Sequence, residues 1–333
     1  MVNNSPQEIW QAITSAKTPL CVIDSRFDFD SFGSCYALKN VLEGKDIPLK
    51  LIYEGKIPTY AITDFDPAEI EQEVDLSSYD FSRHDVLITL DCPALYHLSS
   101  NRVELNLPPN IKIVNIDHHA TNKMFGTLNY FHVQSSTCRL VFDILTANNV
   151  DIDKTVGTYL LKGLLTDSGI LQYDEVDAGD FDMVAKIIKT GVDYNEMVRE
   201  LTFNENADTI KFKKFVYNRM VVNEGSRFAY LAYRGTDLVA EDISSDQVMI
   251  SASDLMRKMS MVDYVFSIRD DARVTNKWWI GFRSRLSNLD VSKYAEALGG
   301  GGHKMAAGAT IENVETIEEA VDKVLEAVKK VRN

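Results

Sequence analysis

Ile111-Lys-Ile-Val-Asn-Ile-Asp117-His118-His119 joins a short apolar run to an aspartate and two adjacent histidines. Two earlier runs also end in aspartate, Leu20-Cys-Val-Ile-Asp24 and Val86-Leu-Ile-Thr-Leu-Asp91. A near-continuous run of Val, Ile and Leu marks a strand covered on both faces, the condition of a parallel sheet. Such sheets bind ligands beyond the carboxyl ends of their strands. Acidic residues and imidazoles delivered to that rim suit Mn, Fe or Zn, because hard oxygens and imidazole nitrogens together match those ions. Adjacent histidines at a buried strand end are costly unless paired or metal-bound.

The pattern extends outward in both directions. Ser5-Pro-Gln-Glu8 is a capping box with proline at the first helical position and predicts a helix to about residue 16. Strands are expected at 19–24, 49–53, 85–91 and 111–117, and helices at 33–43, 137–148 and 153–166. Residues 25–32 are expected as a loop, and 54–84 as an irregular, acidic segment. Alternation of strands and helices is the mark of an α/β sheet with crossover connections. Helices at 181–190 and 207–220 follow. Strands at 227–234, 264–270 and 277–285 then resume, with helices at 246–258 and 291–297. Val314, Ile317, Val321, Val324, Leu325 and Val328 line one face of a closing helix.

At 333 residues the chain has room for two domains. Its hydrophobic fraction of 45% and charged fraction of 25% fit a soluble globular protein. No apolar run approaches the roughly 20 residues of a membrane span, and the start lacks a basic-then-apolar leader, so a cytoplasmic protein is expected. The net charge of −14 argues against long duplex nucleic acid and favours small anionic substrates. Cys21, Cys35, Cys92 and Cys138 form no C-x-x-C pair and read as free buried thiols.

Several further residues could carry chemistry. Asp28 and Asp30, two apart after the strand-end Asp24, can present oxygens to two ions. Taken alone they could equally be solvated loop acids, Asp91 a helix cap, and Asp167 in Thr166-Asp-Ser-Gly169 a turn residue. In Lys277-Trp-Trp-Ile-Gly-Phe-Arg283-Ser284-Arg285, period two puts Trp279, Gly281, Arg283 and Arg285 on one face. Trp279 either stacks on a base or packs on the closing helix. Gly299 to Gly302, followed by His303, allows close approach to an oxyanion or serves as a flexible turn.

In combination these elements resemble a known family. The order D-x-D-S-x-G-S, strand-end Asp, D-H-H, S-S-T and T-D-S-G is similar to the DHH phosphoesterases, and Gly299 to Gly308 resembles the glycine-rich loop of their DHHA1 domain. The resemblance covers nearly the whole chain and is strongest to the nanoRNase and pAp-phosphatase branch. It implies a parallel-sheet DHH domain at residues 1–190, a helical connector at 191–222 and a smaller α/β DHHA1 domain at 223–333, with the active site in the cleft between domains. It further implies two divalent metal ions, usually Mn²⁺, one held by Asp24, Asp28 and Asp91 and the other by Asp30, Asp91, His118 and Asp167. Asp117 would orient His118, and His119 would contact the substrate phosphate. Asp91, His118 and His119 would thus form the catalytic core, with Arg283, Ser284, Gly300, Gly301, Gly302 and His303 binding substrate. A hydroxide shared by the two ions would attack phosphorus.

The implied substrates are short RNA oligonucleotides, pAp or dinucleotides such as pApA, and a homodimer is the family-level expectation. A cyclic-dinucleotide phosphodiesterase is the alternative enzyme. One departure matters: most members of the branch begin the first motif with His where this chain has Asp24, which either alters the first ion's site or leaves a nucleotide-binding sensor. Arg26 and Phe27 are expected to reshape the entrance. A processive exonuclease is disfavoured by the short acidic chain, and a family pyrophosphatase by the Gly-Gly-Gly-Gly-His run.

Overall fold

The computed structural model describes residues 3–25, 27–203, 205–248, 250–270 and 274–332. Arg26 lies outside them. The chain divides into two compact units, Met1–Phe203 and Asn204–Asn333, the break falling within the stretch 191–222. Among the described residues no helix is long and apolar enough to cross a membrane.

The first unit contains α1 (Pro6–Thr14), β1 (Pro19–Val22), α2 (Phe29–Glu43), β2 (Lys50–Ile52), β3 (Val86–Leu90), β4 (Lys112–Asp117), β5 (Leu128–Phe131), α3 (Thr137–Ala147), α4 (Lys154–Asp167), α5 (Ala178–Lys189) and α6 (Tyr194–Phe203). Its sheet is wholly parallel, in the order β2-β1-β3-β4-β5. The apolar runs are explained by cover on both faces. Cys21, Ile88, Leu90, Val114 and Ile116 point into the core under the helices. Leu20, Val22, Ile52 and Leu87 point into a second cluster, closed by Leu76, Phe81, Leu98, Leu105 and Ile111 from the irregular segments. All four cysteines are free and buried.

From β1 the chain first pairs outward to β2 and then returns to the other side of β1 with β3. The order therefore reverses between β1 and β3, where a ligand crevice is expected at the carboxyl ends. Asp24 follows β1, Asp91 follows β3 and Asp117 closes β4.

The helix expected at 33–43 begins four residues earlier, at Phe29. The reason is Asp28, which adopts an extended cap conformation and accepts the Asp30 backbone N–H at 2.6 Å. The second aspartate of the pair is thus helical rather than in a loop. β5 was not expected, because Leu-Asn-Tyr-Phe lacks a β-branched run. It is tied instead by Asn3 and Asn4, whose side chains accept the Phe131 and Asn129 N–H groups.

The second unit contains α7 (Ala207–Arg219), β6 (Val221–Asn223), β7 (Phe228–Tyr233), α8 (Gly235–Ala240), α9 (Ala252–Met256), β8 (Tyr264–Asp270), β9 (Lys277–Ser284), α10 (Ser292–Glu296), β10 (Gly301–Gly302), β11 (Ala306–Glu312) and α11 (Ile317–Arg332). Its sheet runs β10-β11-β9-β8-β7-β6, with only β7 and β8 parallel. One face packs Phe266, Trp278, Ile280 and Phe282 beneath α10 and α11. The other packs Ala229, Leu231 and Val265 against Phe212, Phe215 and Leu255 of α7 and α9. The helix expected over 246–258 is confined to 252–256, since Ser251 caps it by accepting the Asp254 N–H.

Candidate metal centre

Asp30 is the most constrained member of the centre. It is 1% exposed in the first turn of α2. Its carboxylate accepts backbone N–H groups from Thr137 at 2.6 Å and Cys138 at 2.8 Å. Those are free donors of the first turn of α3, whose positive end favours an anion. Burial pushes this carboxyl up to about 7, and the neighbouring Asp91 adds to the rise. Glycines permit the approach: a Cβ on Gly33 would stand 2.7 Å from the Tyr159 carbonyl oxygen.

Asp91 leaves β3 with φ at 57°, a left-handed turn that a non-glycine residue seldom adopts. Its Oδ1 accepts from the Thr137 hydroxyl at 3.2 Å and lies 3.3 Å from His118 Nε2. His118 Nε2 also lies 3.3 Å from Asp167 Oδ2, delivered by the end of α4. Burial alone would lower the His118 pKa, but Asp167 and Asp91 raise it well above the usual imidazole value. Asp167 is pushed up by burial against the pull of His118. One ligand atom each from Asp30, Asp91 and His118 lies within 4.8 Å of the others.

One expected relationship differs in the structure. Asp117 holds His119, not His118: its Oδ1 lies 2.8 Å from His119 Nδ1, while the Gln134 carbonyl lies 2.9 Å from His118 Nδ1. Residues two apart at a strand end share a face, so Asp117 and His119 meet, and His118 turns toward Asp91 and Asp167. The other Asp117 oxygen accepts from Asn122, which also donates to Asn115. Burial alone would raise the Asp117 carboxyl. His119 and these bonds outweigh it and hold the carboxyl below its usual range. Neither asparagine was anticipated, although a polar residue inside the apolar run of β4 was the signal.

Asp24 is buried after β1, with Oδ2 4.0 Å from His97 Nδ1. His97 was also missed; it lies in the turn after Asp91. Asp28 is committed to capping α2, but Asp91 is near enough to add to a rise in its pKa that burial dominates. Phe27 packs 4.8 Å from Phe32, ring to ring. Carboxylates that raise one another around one imidazole are relieved by a cation, and hard oxygens with one imidazole suit a divalent one. The residues present fit the ion that the sequence implies.

In the second unit, Trp279, Gly281 and Arg283 lie on the face of β9 opposite Trp278, Ile280 and Phe282. Because α11 packs on the Trp278 side, Trp279 is not the residue that meets the closing helix; it is 37% exposed. Ser284 is wholly buried, and its hydroxyl donates to the Leu286 carbonyl at 2.7 Å, closing a turn. The glycine run forms a hairpin, with Gly301 and Gly302 paired to Gly308 and Ala307. A Cβ on Gly300 or Gly302 would collide with β11 backbone, whereas one on Gly301 would meet nothing within 4 Å. His303 and Ala306 close the hairpin through their backbones.

A parallel sheet with an acidic, imidazole-bearing rim, followed by a mixed-sheet unit with a glycine hairpin, defines a two-domain α/β class with a metal-ready centre. The sequence matches the DHH family, N-terminal domain, over residues 20–166 and the DHHA1 domain over residues 227–330. The chain belongs to this DHH/DHHA1 family.

It is 30% identical over 226 residues to the bifunctional oligoribonuclease and PAP phosphatase NrnA of Thermus thermophilus. That match covers 65% of this chain and 64% of the relative, so the chain spans less than two thirds of that protein's length. A Mycoplasma genitalium protein of the same name is 26% identical over 69% of this chain and 71% of its own. In structure the chain is similar to an exopolyphosphatase-related protein from Bacteroides fragilis, with TM-score 0.84, 21% identity, and coverage of 98% of this chain and 95% of that one. That last likeness speaks to the fold alone.

Proposed function

We propose that the chain is a metal-dependent phosphoesterase that hydrolyses short nucleotides such as nanoRNA, pAp or pApA. The observation that carries this reading is the convergence of Asp30, Asp91 and His118 within 4.8 Å at the rim of the parallel sheet. The likeness to proteins named oligoribonuclease and PAP phosphatase supports the substrate class.

Asp24, Asp28, Asp30, Asp91, His118 and Asp167 would hold two divalent cations, Mn²⁺ by preference. Bound there, such ions lower the pKa of water and neutralise charge on attacking and leaving oxygens. The protein's own groups orient the reaction. Asp30 is fixed by the α3 amides, and Asp91 by the Thr137 hydroxyl. Asp117 holds His119 with Nδ1 toward the carboxylate, and the ring so oriented would contact the substrate phosphate.

Arg283 and the open backbone at Gly301 are suited to the far end of the substrate, where remote binding energy helps position the scissile phosphate. Trp279 offers an exposed indole two residues from Gly281 on the same face. A turnover panel with Mn²⁺ tests the reading: pApA, pAp, five-unit RNA, a cyclic dinucleotide and pyrophosphate, with Asp91→Ala as control. Hydrolysis of pApA or pAp, lost in Asp91→Ala, supports it. Turnover of pyrophosphate alone, or of nothing, overturns it.

A further inference from the structure

The second unit contains a charged cluster that the metal centre does not explain. Asp254, half-buried on α9, receives two arginines. Arg283 on β9 donates from Nε to Asp254 Oδ1 at 2.9 Å and from Nη2 to Oδ2 at 3.5 Å. Arg257, three residues along from Asp254, brings Nε to 3.4 Å from the same Oδ1. The Ser251 hydroxyl donates to Oδ2 at 2.5 Å. Burial alone would raise this carboxyl; Arg283, Ser251 and Arg257 together hold it below the usual range.

We infer that Asp254 is a positioning residue that gathers the guanidinium groups of Arg283 and Arg257 into one bracket for the terminal phosphate monoester of a short nucleotide. The inference rests on the phosphoesterase reading above and adds Arg257 and Asp254 to it.

The donor inventory supports the bracket. A guanidinium carries five N–H donors in a fixed fork. Asp254 takes the Nε and Nη2 edge of Arg283, and the Phe282 carbonyl takes one donor of Nη1 at 3.0 Å. One donor each on Nη1 and Nη2 remains, the pair that meets two phosphate oxygens bidentately. Both arginines touch one carboxylate oxygen, so their Nε atoms lie close together.

Charge gives the selectivity. Arg283 and Arg257 bring two guanidiniums to this cluster, in a chain whose net charge is −14. A terminal monoester carries about −1.5 to −2 at neutral pH, against one charge on an internal diester. The bracket therefore gains more from a terminal phosphate than from a backbone one. Holding the arginines in place beforehand also removes ordering entropy from the binding step.

The experiment measures equilibrium binding by calorimetry, using the full chain and its Asp254→Asn and Arg257→Ala variants, with pApA and ApA as probes. Wild type is expected to bind pApA more tightly than ApA, and each variant to reduce that preference about tenfold. Mn²⁺-dependent turnover should show the same loss in KM rather than kcat. An unchanged preference in both variants, or equal weakening toward both probes, overturns the inference. Arg257→Lys keeps the charge without the fork and should fall between wild type and Arg257→Ala, which keeps the test available if a variant fails to fold. Absence of turnover by wild type would sink the phosphoesterase reading alone, because binding still decides this one.

Discussion

Gly163 on α4 lies directly against Asp30 on α2: a Cβ on Gly163 would stand 3.0 Å from the Asp30 Cα, and closer still to the Cys138 sulfur. The carboxylate at the heart of the centre therefore depends on a missing side chain on another helix. Overpacking a rigid core costs about 1–3 kcal/mol. Gly163→Ala should destabilise the chain by that amount in urea unfolding and weaken Mn²⁺ binding by moving Asp30. Adding Cys138→Ala should recover part of the stability, since it removes one of the two obstructions, and leave the Asp30 contact in place.

The Asp117–His119 pair sets a second expectation. Partners that orient a site residue typically contribute 10–100-fold to activity. Asp117→Asn should reduce turnover of pApA about that much while the fold, followed by circular dichroism, is retained. His118→Asn should instead weaken Mn²⁺ binding, because His118 faces Asp91 and Asp167. Equal effects of the two variants on metal affinity would contradict the division of labour between the two histidines.

Much of this architecture was legible in the sequence. Asp24, Asp91 and Asp117 stood out because a strand buried on both faces must be apolar until it ends. Asp30 was legible as a ligand candidate but not as a helical residue, since only the Asp28 backbone shows that the cap comes first. The partner of His119 was present in the two-residue spacing from Asp117. The partner of His118 was not, because it is a backbone carbonyl in a separate loop. Ser284 could have been placed indoors from its alternation with Ile280 and Phe282. The glycine hairpin and the Asp254 cluster required the pairing of distant segments, which no local pattern encodes.

Asp85 gives a pH-dependent test away from the centre. It accepts the Lys17 N–H at 2.7 Å and the Thr18 N–H at 2.9 Å, fixing the entry to β1. Partial burial would raise its pKa, but the Lys17 and Thr18 bonds outweigh this and lower it. A depressed folded-state pKa contributes stability that is fully present above the unfolded carboxylate value of about 3.9 and is lost as pH falls through the lower folded value. Asp85→Ala should therefore cost about 0.5–1.5 kcal/mol at pH 7. Relative to wild type, that difference should shrink in urea melts below about pH 3.

Trp279 tests the base-binding role of the outer face of β9. Stacking on an aromatic ring contributes roughly 1–3 kcal/mol per base. Trp279→Ala should raise KM for pApA at least fivefold and leave thermal stability close to wild type, because the ring is 37% exposed and lies opposite the α11 core. An unchanged KM would end the stacking role.

Asp24 tests how this chain manages a first motif without the family's usual histidine. A buried carboxylate at this position would add an anion where a neutral imidazole would stand, and its attraction to a divalent ion would compensate for the altered ligand. Asp24→Ala should therefore lose one tightly bound Mn²⁺ per chain by calorimetric titration and lose most turnover. Asp24→His should bind Mn²⁺ no more tightly than wild type, because it exchanges charge for softer donation without changing the rest of the donor set. If Asp24→His instead binds Mn²⁺ more tightly and turns over faster, the native first site is a weakened one. Chelation followed by Mn²⁺ return separates this from misfolding: wild-type activity should vanish and recover, and a variant that fails to recover has lost the centre.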